Sequence, residues 1–178
     1  MKKLKDEQLF RLIREFLTVY LPKQRMCSAN TVKSYRESIN LLFTFLQEKK
    51  HLNLADITFE MLDAKTIRAF LDWLKDERSC GQTTLNQRLA CIRSFFSYAA
   101  KMDAALVDHQ NELSKIAVPK THTPAAVTFF SEEALKAILK EPDATTKKGI
   151  RDMFYMILLY DSGARNGELL NLRCVILI

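Results

Sequence analysis

Glycine and proline are scarce in this sequence, with four of each in 178 residues. Chains that turn often need both, so their scarcity speaks against a β sandwich or barrel. With Leu, Lys and Glu abundant, a helical protein is the expectation. Cysteine is equally rare. Cys27, Cys80, Cys91 and Cys174 form no C-x-x-C pair and have no histidine ligands beside them. No disulfide framework and no metal site are expected, and reduced thiols fit a cytoplasmic protein. No apolar run reaches the length of a membrane span. Met1-Lys2-Lys3 leads into mixed charge rather than the apolar core of a signal peptide.

What is present is charge of uneven distribution. The net charge is +6. Residues 1–100 hold 17 Lys and Arg against 11 Asp and Glu, whereas residues 101–178 hold 10 of each. A basic part beside a neutral one points to a polyanionic partner, most simply nucleic acid; the plain alternative is a solvated basic surface.

Apolar spacing divides the chain into helices. Leu9, Leu12, Ile13, Phe16 and Leu17 predict a first helix over about 7–20, stopped by Pro22. Ser28 or Asn30 caps a second, to about Glu48, with Val32, Tyr35, Ile39, Leu42, Phe43 and Leu46 on one stripe. Leu41 and Phe45 lie off that stripe and call for another helix or another protomer. Leu52 to Phe59 reads as a connector of mixed β and turn character. Asp63 caps a third helix with Ile67, Phe70, Leu71 and Leu74 inward, and Gly81 is read as its terminator. A fourth starts at Thr83 or Thr84 and buries Leu85, Leu89, Ile92, Phe96 and Ala99. Periodicity then lapses, which reads as a linker. After it come a short β-like run at Val127-Thr128-Phe129-Phe130 and a helix opening at Ser131. A further helix over about 147–160 is expected to bury Ile150, Phe154, Ile157 and Leu158.

Two polar sets stand out. Thr31, Lys33, Ser34, Arg36 and Asn40 on the second helix, and Thr84, Asn86, Gln87, Arg88, Arg93 and Ser94 on the fourth, avoid the apolar faces. These side-chain types contact phosphates and base edges in a major groove. The bland reading is an ordinary solvated helix face. Arg88 and Arg93 flank the apolar face on opposite sides, so both cannot point straight out. The second set is Arg165 with Glu168 one turn on, after a Ser-Gly turn. An arginine held there can bind a phosphate; the plain alternative is a capping arginine.

Taken together, these stretches resemble the tyrosine recombinase (phage integrase) family. The resemblance lies in Ser28-Ala29-Asn30-Thr31-Val32-Lys33-Ser34-Tyr35, in the run from Thr84 to Ala99, and in Gly163-Ala164-Arg165 with Glu168. It implies a mainly α protein. Residues 1–105 would be a SAM-like four-helix core-binding domain and 106–126 a linker. Residues 127–178 would be the incomplete, mostly helical opening of a catalytic domain. It implies double-stranded DNA as partner at Thr31, Lys33, Ser34, Arg36, Thr84, Asn86, Gln87, Arg88 and Arg93, with homo-oligomers forming on DNA. By the same resemblance Arg165 is the arginine of the scissile phosphate and Glu168 its supporting acid. No cofactor, membrane or small-molecule substrate is implied. Asn166 and Gly167 depart from the family's pattern, which prefers helix-propagating residues there.

The family's reaction also needs a hairpin lysine, a His-x-x-Arg motif and a nucleophilic tyrosine after that first arginine. None of His51, His109 and His122 has an arginine three positions on, and all five tyrosines precede Arg165. The ending Cys174-Val175-Ile176-Leu177-Ile178 reads as a shifted frame, a premature stop or the edge of a fragment. The expectation is a DNA-binding, catalytically incompetent remnant of a recombinase. The alternatives are a fragment of an active enzyme, or a helical module that binds protein through Leu41 and Phe45.

Overall fold

The computed structural model describes residues 4–120 and 129–172. The chain forms two compact units, 1–122 and 123–178. Among the described residues both are helical and no strand occurs.

The first unit opens with α1 (Glu7–Glu15), which Asp6 caps by accepting the Leu9 N–H at 2.9 Å. The other oxygen of Asp6 accepts the Phe59 N–H at 3.0 Å, so one carboxylate ties a helix start to a distant turn. Pro22 does not stop the winding. From Phe16 to Gln24 the helix loosens to π geometry with Pro22 inside it. A proline cannot donate and crowds the carbonyl four residues back; the looser turn gives up that pairing.

Helix α2 (Ala29–Lys50) is capped by Ser28, whose hydroxyl accepts the Thr31 N–H at 3.2 Å. The connector after it holds two short 3-10 turns and no β structure. In α3 (Ala64–Asp76) the Thr66 N–H bonds Asp63, which holds that carboxyl below its usual range. The left-handed residue after α3 is Ser79, at φ 50°. Gly81, read from sequence as the terminator, is extended and instead starts α4 (Gln82–Met102).

Helix α4 is the centre of the unit. The expected Leu85, Leu89, Ile92, Phe96 and Ala99 are buried, and so are Cys91, Phe95, Tyr98 and Ala100. It packs against α2, against α3 and against α5 (Val107–Ser114). That last helix lies inside the span read as a linker. Its Leu113 and the flanking Leu106 and Ile116 are buried in the first unit's core, so residues 106–116 belong to the domain. Leu41 and Phe45 find their partner within the unit as well. Phe45 is buried, 5.8 Å from the Phe70 ring and 5.7 Å from Trp73, and Leu41 packs on the same core. The protein-binding reading that rested on this pair therefore loses its basis.

The second unit holds α6 (Glu132–Lys140), α7 (Lys147–Ser162) and α8 (Asn166–Leu170). Ser131 caps α6 as expected, its hydroxyl accepting the Ala134 N–H. Phe129 and Phe130 are exposed and form no strand; Val127 and Thr128 lie outside the described residues. The expected burial along α7 is not met. Ile150 is 51% exposed, Phe154 64% and Ile157 39%, and Leu158 is half-buried. Among the described residues of this unit only Gly149 and Leu169 are buried, because α7 has little beyond α6 and α8 to pack on.

Since local stability follows buried apolar contact, limited proteolysis is expected to cut the second unit first. A resistant fragment covering residues 4–116 should remain. Equal resistance of the two units would contradict this ordering.

Candidate nucleic-acid interface

The N-terminal halves of α2 and α4 lie side by side and share an open groove. Asn30, Thr31, Ser34 and Tyr35 line one side, and Gln87, Ala90 and Cys91 the other. Helical periodicity puts the inward faces of both helices in the core and leaves the rest of each surface to the groove and to solvent. Thr31, Lys33, Arg36, Asn40 and Gln87 are exposed; Ser34, Thr84 and Ser94 are half-buried. Gln87 Nε2 donates to Ser34 Oγ at 2.9 Å and bridges the groove. Thr31 shares its hydroxyl with the Ser28 cap, 2.9 Å away.

Three further residues singled out in the sequence also make contacts inside the unit. Arg88 has a side chain only 16% exposed. Its Nη1 donates to Ser34 O at 3.2 Å and to Ser38 Oγ at 3.0 Å. Its Nη2 stands 3.7 Å from Glu37. Arg93 turns the other way: Nε donates to Leu113 O at 3.0 Å, and Nη2 donates to Ser114 O at 3.0 Å and to Ile116 O. It thereby satisfies the carbonyls at the end of α5, a helix terminus that otherwise leaves them without partners. Asn86 Nδ2 donates to Pro119 O at 2.9 Å. Arg88 thus faces α2, while Arg93 and Asn86 hold residues 113–119 along α4.

Sequence reasoning passed over Ser38, Thr83 and Ala90. Ser38 is the one buried polar residue among those described, at 0% exposure. Its position between Tyr35 and Leu42 on the apolar stripe was the available signal. Thr83 and Ala90 are exposed and share the outward side of α4 with Gln87 and Ser94 at 100° per residue.

In the second unit, α7 ends at Gly163, whose φ of +60° is the left-handed conformation that suits glycine. Arg165 then precedes α8. Its backbone N–H donates to Glu168 Oε2 at 2.8 Å, and its Nη1 meets Glu168 Oε1 at 3.1 Å. The Arg165 side chain is 88% exposed, leaving the rest of its guanidinium fork to solvent. The Tyr155 hydroxyl bonds Asn166 Oδ1 and so ties α7 to the turn. No group of metal-binding side chains occurs among the described residues. No described helix is long and apolar enough to cross a membrane.

Residues 13–102 match the model of the phage integrase N-terminal SAM-like domain. A Sinorhizobium fredii protein described as an integrase/recombinase, y4rC, is 31% identical over 171 residues, which is 95% of this chain and 51% of that protein. Tyrosine recombinase XerC of Staphylococcus epidermidis is 31% identical over 161 residues, 90% of this chain and 51% of XerC. XerC of Staphylococcus aureus is 30% identical over 163 residues, with 90% and 50% covered. The chain spans about half the length of these relatives. No solved structure matches it.

Proposed function

The chain belongs to the phage integrase family of tyrosine recombinases, and from that premise we propose that its first unit binds double-stranded DNA along the α2–α4 groove. The observation that carries the proposal is the groove itself. Exposed Thr31 and Gln87 line it, and exposed Lys33 and Arg36 stand on the outer surface of α2, in a unit that holds the whole positive excess of the chain. Lys33 and Arg36 suit phosphates. The carboxamide of Gln87 and the hydroxyls of Thr31, Ser34 and Thr84 suit base edges or sugar–phosphate oxygens.

Arg165 and Glu168 fit a phosphate-binding role in the second unit. The carboxylate steadies both the backbone and one guanidinium nitrogen, while the exposed remainder of the fork can meet an anion. The double length of the relatives favours reading this pair as one part of a larger catalytic centre. Within the 178 residues no tyrosine suits attack on that phosphate. Tyr20, Tyr35 and Tyr98 pack against Phe16, Tyr155 is bonded to Asn166, and the exposed Tyr160 precedes Arg165 on α7, where the family's nucleophile would follow that arginine. The proposed activity of this chain is therefore DNA binding without strand cleavage.

The test is a titration of duplex DNA at increasing salt. Phosphate contacts release condensed counterions, so log affinity should fall linearly with log salt, by about 0.9 for each phosphate neutralised. With about four such contacts, affinity should drop roughly a hundredfold between 50 and 200 mM salt. Absence of binding to a randomised duplex pool at low salt would remove the proposal.

A further inference from the structure

We propose that Arg88 is a positioning residue for DNA recognition: it orients Ser34 and Gln87 and does not itself meet a phosphate. This rests on the α2–α4 groove being the DNA-binding face. The geometry is a clasp. Two successive residues of α4 grip one residue of α2: Gln87 bonds the hydroxyl of Ser34, and Arg88 bonds its carbonyl. Behind them Ser38, fully buried, donates its hydroxyl hydrogen to the same carbonyl at 2.8 Å and accepts from Arg88 Nη1. The Nε of Arg88 is buried without a hydrogen-bond partner. The guanidinium thus points into the seam between the helices, with its donors turned toward α2 rather than toward solvent.

The consequence falls on the exposed atoms. A glutamine reads an adenine edge only when its amide donor and acceptor are held in one plane against the base. A Gln87 anchored to Ser34 is held so only if Ser34 is itself fixed, and Arg88 with Ser38 fixes it. Arg88 also stands beside Glu37, the acid on this side of α2, and offsets a charge that would repel DNA. A phosphate-binding arginine would instead expose its fork, as Arg165 does at 88%.

Phosphate contact and positioning differ in their salt signature. Removing a phosphate contact weakens binding to all sequences alike and lowers the salt slope by about one. Removing a positioning residue spares the slope and narrows discrimination between sequences. The experiment uses the full chain and two probes: a duplex selected by this chain from a randomised library, and a scrambled duplex of the same composition. Arg88→Met is expected to cut the preference for the selected duplex about tenfold, roughly the discrimination of one good base contact, with the salt slope unchanged. Ser38→Ala, which cannot reach DNA from its buried position, is expected to narrow the preference in the same direction. Lys33→Ala should do the reverse, lowering the slope and sparing the preference.

A fall in slope of about one for Arg88→Met, with the preference intact, would overturn the proposal. Should Arg88→Met fail to fold, as shown by loss of its helical circular dichroism, Ser38→Ala decides: an unaltered preference in that variant would also overturn it. A wild-type chain that binds neither probe at low salt would instead remove the underlying DNA reading.

Discussion

Phe16→Ala is expected to destabilise the first unit by about 3–5 kcal/mol, the range for truncating a fully buried aromatic ring. The side chain is 0% exposed and sits where α1 passes into the π segment. Its ring centroid lies 5.7 Å from Tyr20, 5.5 Å from Tyr35, 5.6 Å from Phe95 and 5.4 Å from Tyr98. It therefore joins three parts of the unit: the N-terminal helix, α2 and the central α4. Aromatic pairs at such separations add to the value of simple area burial, and a dense interior leaves little room to close the gap. Domains of this kind have only about 5–15 kcal/mol of stability in total, so the variant should sit near its unfolding midpoint in mild denaturant. Trp73, the single tryptophan and 4% exposed, reports the transition by fluorescence. A loss below about 1 kcal/mol, less than a single truncated aromatic costs in a packed core, would show that Phe16 is not a keystone of this unit.

The helices of the first unit were legible in the sequence because their apolar stripes are long and their caps are distinct. Ser28 and Asp63 each cap the helix that follows them, as Ser131 does in the second unit. The failures have particular causes. Pro22 read as a stop because α-helix rules do not describe a π winding. Helix α4 read as one-sided because its stripe was counted at the strictest spacing; Phe95 and Tyr98, each one residue off it, face Phe16 and Tyr20 of the π segment. Helix α5 went unseen because Leu106, Leu113 and Ile116 are few and stand close to Pro119. In the second unit the apolar spacing of α7 predicted burial, yet periodicity says only which side is apolar, not what covers it.

The polar face was harder to read for a similar reason. Residue type and helix face place Arg88, Arg93 and Asn86 outside the core, and that much holds. Whether such side chains meet solvent or a neighbouring backbone depends on tertiary packing. Arg93 meets the end of α5 and Arg88 meets Ser34 and Ser38, and neither partner is near in sequence. Lys33 and Arg36, lying farther from any helix seam, are exposed, and so is Gln87 although it reaches Ser34 across the groove.

Whether DNA lies on the α2–α4 face is tested most directly by moving charge on and off it. Lys33→Glu with Arg36→Glu reverses the positive charge on α2 beside that face; Lys65→Glu with Lys75→Glu makes the same change in net charge on exposed positions of α3. Each phosphate contact contributes about eightfold in affinity between 1 M and 0.1 M salt. The first pair should therefore weaken binding to a duplex roughly a hundredfold near 0.1 M salt and flatten the salt slope by about two. The second pair should change affinity by less than about threefold, through long-range charge that salt screens. Equal losses from the two pairs, or a larger loss from the α3 pair, would contradict the assignment of the DNA-binding face.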